Sequence, residues 1–381
     1  MKIAYISYPS FADCDYPLIR SLRKLGHNVY YYLVLTPFHC HSTLVDINKL
    51  ISSYCIIDGT SYPELSLYDN YLESSTIRIV NFGGNKKIHI FLLWEKLRKE
   101  IKQFSPDIVH ITHFFPPYGI PFYFTFKKLV ITIHDPIPHS GEESSWNEKL
   151  RNIGIRFIKC FLFLSRNDTL KTKFIERYNI SEKAIHYAGL APYELLNYLS
   201  PPHTIDTDYH SDFLFIGRIS PYKGVDVLLN AADLLNQKGL DFKIIIAGAG
   251  DISFDKRLST PSHKNIIVIN RYISVIELVS MMKNTRYVVC PYKEATQSGV
   301  IMSALALNRP VIATRVGDFE NVIIDKKNGF LLDSNDAEAL ANIMENVLQS
   351  PSFAHTEQDF SQDWTIIAQQ YIKIYRDYIK I

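Results

Sequence analysis

At 381 residues with 47% hydrophobic content, the chain is long enough for two domains with sizeable cores. Its 41 Lys and Arg nearly balance 39 Asp and Glu, so no overall field draws it to nucleic acid. No apolar run approaches the roughly 20 residues that span a bilayer, and the opening Met1-Lys2-Ile3-Ala4-Tyr5-Ile6 reads as a strand rather than a secretory leader. Five scattered cysteines form no framework, and a reducing cytoplasm is the expected compartment.

Short apolar strands alternate with helical patterns, the signature of parallel sheets built from βαβ units. In the first half, strands are predicted at 2–7, 28–35, 108–111 and 129–133, with 78–81 a weaker candidate. Helices are predicted at 16–24, 88–104 and 147–164, and Gly26 is a stop signal for the first of them. Asp13-Cys14-Asp15, just after the first strand, reads as a turn. The Pro-, Thr- and Asp-rich stretch 198–210 reads as a linker.

After it the alternation restarts. Strands are predicted at 213–217, 242–247, 266–269, 287–290 and 311–313, and helices at 225–237, 274–283, 298–307 and 336–348. Asn328-Gly329 marks a tight turn, and 364–379 has the pattern of a last amphipathic helix. The expected fold class is therefore α/β, with two doubly wound domains facing a cleft. The first comprises residues 1–200, the second 201–359, and 360–381 is a C-terminal helix. Ligands of such sheets bind at the carboxyl ends of the strands.

Two features of the second half point to chemistry. Arg218 follows Gly217 at a predicted strand end, and Lys223-Gly224 opens the next helix. A guanidinium fork and a mobile ammonium suit phosphate oxygens, and a helix N-terminus favours anions. A solvated basic loop is the plainer alternative. Further on, Glu294-Ala295-Thr296-Gln297-Ser298-Gly299 opens a nearly all-apolar helix. Thr296 or Ser298 can cap it, and Gly299 lets a ligand approach its unpaired N–H groups. Glu294 can accept bonds from sugar hydroxyls or can cap its own helix.

These residues carry a resemblance. Gly217-Arg218 with Lys223-Gly224-Val225-Asp226, Ala247-Gly248-Ala249-Gly250-Asp251, Pro291 to Gly299, Arg309-Pro310-Val311-Ile312-Ala313-Thr314 with Val316-Gly317-Asp318, and Asn328-Gly329-Phe330-Leu331 follow in an order and spacing that resemble the family-4 glycosyltransferases. These are retaining enzymes of the GT-B fold. The resemblance is strong over 213–348 and weaker before it, where Pro106-Asp107-Ile108-Val109-His110 and His134-Asp135 also fit. It implies that Arg218 and Lys223 neutralise the diphosphate of a UDP- or GDP-sugar donor and that Glu294 holds the sugar. Gln297, Ser298 and Gly299 then bring backbone to sugar and phosphate, and Arg271, Tyr272 and Ile273 lay backbone against the base. His134 becomes the candidate active-site histidine. Neither a cofactor nor a metal is implied, and the C-terminal helix crosses back onto the first domain. A second glutamate, usual where this chain has Met302, is missing. So is the usual glycine-rich loop, replaced by Tyr8-Pro9-Ser10-Phe11.

The expected function is transfer of a hexose to a glycan or lipid-linked acceptor in surface polysaccharide assembly. Asn147–Leu164 carries Lys149, Arg151, Arg156 and Lys159 among apolar residues, and Lys86, Lys87, Lys96, Arg98, Lys99 and Lys102 lie on or before another helix. Such helices can rest on anionic lipid, which would place the protein peripherally on a membrane; an ordinary solvated face is the simpler reading. The loop with His139, Glu142 and Glu143 can contact acceptor. His110 and His113, three apart on a strand, fall on opposite faces and make a poor metal pair. Two rival readings stay open. Met302 suggests a non-catalytic binder of sugar nucleotides. Gly248 and Gly250 supply two of the three glycines of an oxidoreductase fingerprint, with Ser253 in place of the third.

Overall fold

Buried apolar runs of the sequence become the strands of two separate sheets. The computed structural model describes residues 1–42, 44–137, 145–199, 209–261, 263–350 and 363–380. The chain divides into two units: Met1–Ala191, Tyr198–Ser200 and Ser361–Ile381 form the first, and Pro192–Asn197 with Pro201–Phe360 the second. The predicted linker lies mostly in 200–208, outside the described residues, as do His139, Glu142 and Glu143.

Unit 1 runs β1 (Lys2–Ser7), α1 (Ala12–Lys24), β2 (Asn28–Leu35), β3 (Tyr54–Asp58), β4 (Ile77–Phe82), α2 (Lys87–Phe104), β5 (Ile108–Ile111), α3 (Pro121–Thr125), β6 (Leu129–Ile133), α4 (Ser145–Ile155), β7 (Cys160–Phe163), α5 (Asp168–Tyr178) and β8 (Ile185–Tyr187). The strand order is β3-β4-β2-β1-β5-β6-β7-β8, parallel except for β3 on β4. Strand β6 is buried along its whole length, as strands covered on both faces are. On one face Leu93, Trp94 and Leu97 of α2 pack with Phe122 and Phe174 over Val34, Val80, Val109 and Ile131. Alternation sends Tyr5, Tyr31 and His110 to the other face.

Unit 2 runs β9 (Ser211–Ile216), α6 (Val225–Gln237), β10 (Ile244–Ala247), α7 (Lys256–Ser259), β11 (Ile266–Ile269), α8 (Val275–Lys283), β12 (Thr285–Cys290), α9 (Gly299–Ala306), β13 (Val311–Thr314), β14 (Gly329–Leu332) and α10 (Ala337–Gln349). Its sheet is parallel, in the order β11-β10-β9-β12-β13-β14. The segment Pro192–Asn197 belongs to this unit because Tyr193 N–H bonds to the Met302 carbonyl and Asn197 to that of Ala306. The last helix, α11 (Trp364–Lys380), packs on unit 1. There Tyr375 hydrogen-bonds His110 Nδ1 at 2.6 Å, and Lys128 bonds to the Tyr378 carbonyl at 3.1 Å.

Three expectations are corrected. The helix predicted over 147–164 ends at Ile155, and Cys160–Phe163 is strand β7. Its continuous apolar run fits a strand buried on both faces, which periodicity alone does not separate from a buried helix. Asp13-Cys14-Asp15 is the first turn of α1, where acids suit the helix dipole. The turn expected at Asn328-Gly329 occupies residues 326–328, and Gly329 is already the first residue of β14; a Cβ there would stand 2.2 Å from the Val311 carbonyl oxygen.

Candidate functional site

In unit 2 the chain builds outward in two directions from the centre of the sheet. Strands β9, β10 and β11 go one way and β12, β13 and β14 the other, so the switch point lies between β9 and β12. Ligands of such sheets bind at the carboxyl ends of the strands at this point. Gly217, Arg218 and Lys223 follow β9, and Glu294, Gln297, Ser298 and Gly299 follow β12. The switch point thus brings together the phosphate candidates and the sugar candidate.

The two loops are clasped by backbone. Lys293 N–H donates to the Tyr222 carbonyl at 2.8 Å, and the Lys293 ammonium pairs with Asp226 at 2.6 Å. Gly224 has φ +69° and lies against the Pro291 carbonyl. Its conformation and lack of a side chain are both required. The half-buried Lys223 holds its ammonium 3.8 Å from the centre of the Tyr292 ring. Burial pushes the Cys290 thiol up to about 12 although nearby Lys223 pulls it back, so it is no nucleophile at neutral pH. Arg218 is exposed.

Helix α9 is capped by Ser298, whose Oγ accepts from Ile301 N–H at 3.4 Å. Glu294, four residues earlier, is not the cap. Half-buried at the strand end, it makes no hydrogen bond or ion pair among the described residues. A third loop supports this one from β13: Asp318 N–H donates to the Thr296 carbonyl at 3.1 Å, and Gly317, at φ +57°, packs against the carbonyls of Ala295 and Thr296. Two cations, a dipole end and an uncommitted carboxylate can hold a diphosphate next to a polyhydroxyl group.

Arg271, Tyr272 and Ile273 follow the edge strand β11, at the carboxyl end of the same parallel sheet. The Arg271 guanidinium pairs with Glu277 at 2.6 Å and holds that carboxyl down at about 2, so its side chain serves the Ser274–Glu277 capping box of α8. Gly248 and Gly250 are consumed by packing. A Cβ on either would stand about 2 Å from the carbonyl oxygens of Gly217 and Ile219 respectively. That backbone contact accounts for both glycines without a dinucleotide. Met302 is buried, 4% exposed.

His134 belongs to unit 1, at the carboxyl end of β6. Its ring stacks on Phe11 at 3.9 Å and its Nε2 is buried without a hydrogen bond. That desolvation pushes it down to about 4, against the pull of Asp135, so the imidazole is neutral at pH 7. His110 is fully buried between Thr132 and Tyr375 and is structural. His113 lies beyond the strand, exposed. Among the described residues no three His, Cys, Asp or Glu side chains gather as a metal ligand set. Sequence reasoning missed Asn335 and gave Tyr292 and Gly317 no role beyond their place in the resembling motifs, because the loops that meet are far apart in the chain.

Comparison with known proteins places these residues in context. Residues 16–188 match the model described as Glycosyltransferase Family 4, and residues 210–350 that of Glycosyl transferases group 1. A D-inositol 3-phosphate glycosyltransferase of Arthrobacter sp. (strain FB24) is 30% identical over 145 residues, 36% of this chain and 34% of that protein. A capsular polysaccharide biosynthesis glycosyltransferase, CapM, of Staphylococcus aureus is 25% identical over 146 residues, 37% of this chain and 38% of that one. The matches span between about a third and a half of the curated relatives' length. Among solved structures, a glycosyltransferase from Rickettsia africae ESF-5 aligns over 100% of this chain and 98% of its own, at TM-score 0.59 and 19% identity. Anabaena HepE in complex with UDP-glucose aligns over 100% and 98%, at TM-score 0.62 and 16% identity. At such identities the likeness is one of fold.

Proposed function

The chain belongs to the group-1, family-4 glycosyltransferases, with the GT-B type of fold, and from that premise we propose that it transfers a hexose from a nucleotide diphosphate sugar to a glycan or lipid-linked acceptor. The observation that supports the reading is the switch point of unit 2, where the loop after β9, which carries Arg218 and Lys223, lies against the loop after β12, which carries Glu294 and leads into α9. Breaking the glycosidic phosphate bond leaves negative charge on the diphosphate. Fixed cations and helix N–H groups that meet this charge lower the barrier directly. Glu294 accepts bonds from the sugar hydroxyls, and the neutral imidazole of His134 can give or take a hydrogen bond at sugar or acceptor. Retention of anomeric configuration follows if the acceptor attacks from the face the diphosphate leaves. The charge is met by side chains, so this reading needs no metal.

Surface polysaccharide assembly is supported by likeness to CapM, which is named for it. A lipid-linked acceptor is supported by α2, whose outward face shows Ile88, Phe91 and Leu92, 61%, 41% and 55% exposed, followed by exposed Lys96 and Lys99. Of the basic residues on and after helix α4, Lys149, Arg156 and Lys159 are exposed, whereas Arg151 turns onto the carbonyls of Asp135 and Pro136. No helix among the described residues is long and apolar enough to cross a membrane. Binding of α2 to anionic vesicles is the check, and failure to co-sediment removes the membrane part.

The donor test is a thermal-shift screen of UDP-, GDP-, ADP- and TDP-sugars, followed by chromatography for transfer or hydrolysis. A bound ligand raises the melting point. Binding without either reaction favours the non-catalytic reading, which Met302 motivates by putting a buried apolar side chain where family members carry a second glutamate. No shift with any of them overturns the donor site.

A further inference from the structure

Tyr292 is fully buried where β12 ends. Its ring centre lies 3.8 Å from the Lys223 ammonium, well inside the roughly 6 Å reach of cation–π attraction. The neighbouring Tyr222 ring is farther off, at 5.4 Å. Tyr292 is itself fixed on several sides. Its carbonyl accepts from Asn335 Nδ2 at 2.7 Å, and Phe319 meets its ring edge-on at 5.7 Å. Its hydroxyl lies 3.5 Å from Ser298 Oγ, the same atom that caps α9. One side chain therefore touches both positive features of the switch point, the ammonium and the helix N-cap.

We infer that Tyr292 is a positioning residue: its ring seats the Lys223 ammonium in register with the N-terminus of α9, so that both meet the phosphates of a nucleoside diphosphate together. The inference rests on the donor-site reading. A lysine carries four rotatable bonds, and a seat made in advance spares the entropy of ordering them on binding. Aromatic burial alone would not require the ammonium to lie over the ring face.

The test is calorimetric titration with UDP, GDP, ADP and TDP of the natural protein, Lys223→Ala, Tyr292→Phe, Tyr292→Leu and the Lys223→Ala/Tyr292→Leu double variant. Loss of the ring in Tyr292→Leu weakens nucleotide binding about 10-fold. Tyr292→Phe keeps the ring face and stays within about threefold of the natural affinity. The double variant binds no more weakly than Lys223→Ala alone. An equal loss in both backgrounds overturns the inference, because Tyr292 then acts without Lys223. Proton NMR reads the seat independently: the Lys223 ε-methylene resonances are shifted upfield by the ring, lose that shift in Tyr292→Leu and keep it in Tyr292→Phe. If none of the four nucleotides binds the natural protein, the donor-site reading fails. The methylene shift then decides the seat alone, and its absence from the natural protein overturns it.

Discussion

The backbone of Gly224 lies so close to Pro291 that a Cβ on residue 224 would stand 1.7 Å from the Pro291 carbonyl oxygen. The obstacle is backbone, held by the Lys293–Tyr222 hydrogen bond beside it, and cannot swing aside as a side-chain tip can. Gly239 has the same φ of +69° with open space around it, which makes it the control. Gly239→Ala is expected to cost about 1 kcal/mol, the strain of the left-handed conformation alone. Gly224→Ala adds the collision and is expected to cost about 3 kcal/mol and to open the clasp. Urea unfolding with nucleotide titration measures both, and equal midpoints for the two variants would show that the loops are not clasped.

Arg218→Ala and Lys223→Ala are expected to lower turnover by about 10²- to 10³-fold each, the scale seen when a group that stabilises transition-state charge is removed. Arg218 is exposed, so its loss should leave the thermal midpoint in place. Near-normal turnover in both variants would contradict the role of the pair in carrying leaving-group charge.

The sequence shows the strands of this protein more clearly than its edges. Strands such as β6 and β11 are apolar runs rich in β-branched residues, and their limits read off directly. Strand β3 is half-buried and antiparallel at an edge, and β8 has three residues, so neither has a pattern long enough to stand out. Arg218, Lys223 and Glu294 stand out in the sequence as candidates because they lie between an apolar run and the next helix. The clasp was not. Lys293 meets Tyr222, Asn335 meets Tyr292 and Gly317 meets Ala295 across loops that only the strand order brings side by side. Met302 reads as a departure in the sequence and as ordinary core in the fold.

Ser298, not Glu294, caps α9, so the proposed sugar-holding role of Glu294 is testable apart from the helix. Ser298→Ala should cost about 1 kcal/mol of stability, the usual worth of an N-cap. Glu294→Gln should leave stability unchanged, because the carboxylate has no partner among the described residues. It should weaken the sugar nucleotide by about 10-fold or more, the worth of charged hydrogen bonds, and leave the bare nucleoside diphosphate unaffected. Parallel titrations with the sugar nucleotide and its diphosphate check this. Equal weakening of both ligands would assign Glu294 to the phosphates instead.

Asp15 stands under the sheet of unit 1, 1% exposed, and accepts hydrogen bonds from Tyr5 at 2.8 Å and Tyr31 at 3.2 Å. Burial raises its carboxyl from the ordinary 3.8 to about 8, although hydrogen bonds from Ser7 and the tyrosines oppose the shift. Between those values the folded chain keeps a proton that the unfolded chain releases. Stability therefore falls as pH rises, by about 1.4 kcal/mol per pH unit for one proton. His110 acts with the opposite sign. Burial lowers it from 6.5 to about 3, so its contribution grows as pH rises to 6.5 and is complete above it. The two slopes oppose each other between about pH 4 and 6.5. Above 6.5 the Asp15 slope is left without that opposition, up to about pH 8. Urea midpoints should thus decline over pH 6.5–8 in the natural protein and stay flatter in Asp15→Asn, which keeps an acceptor oxygen for Tyr5 but cannot ionise. An identical decline in both proteins would show that Asp15 is not the titrating group.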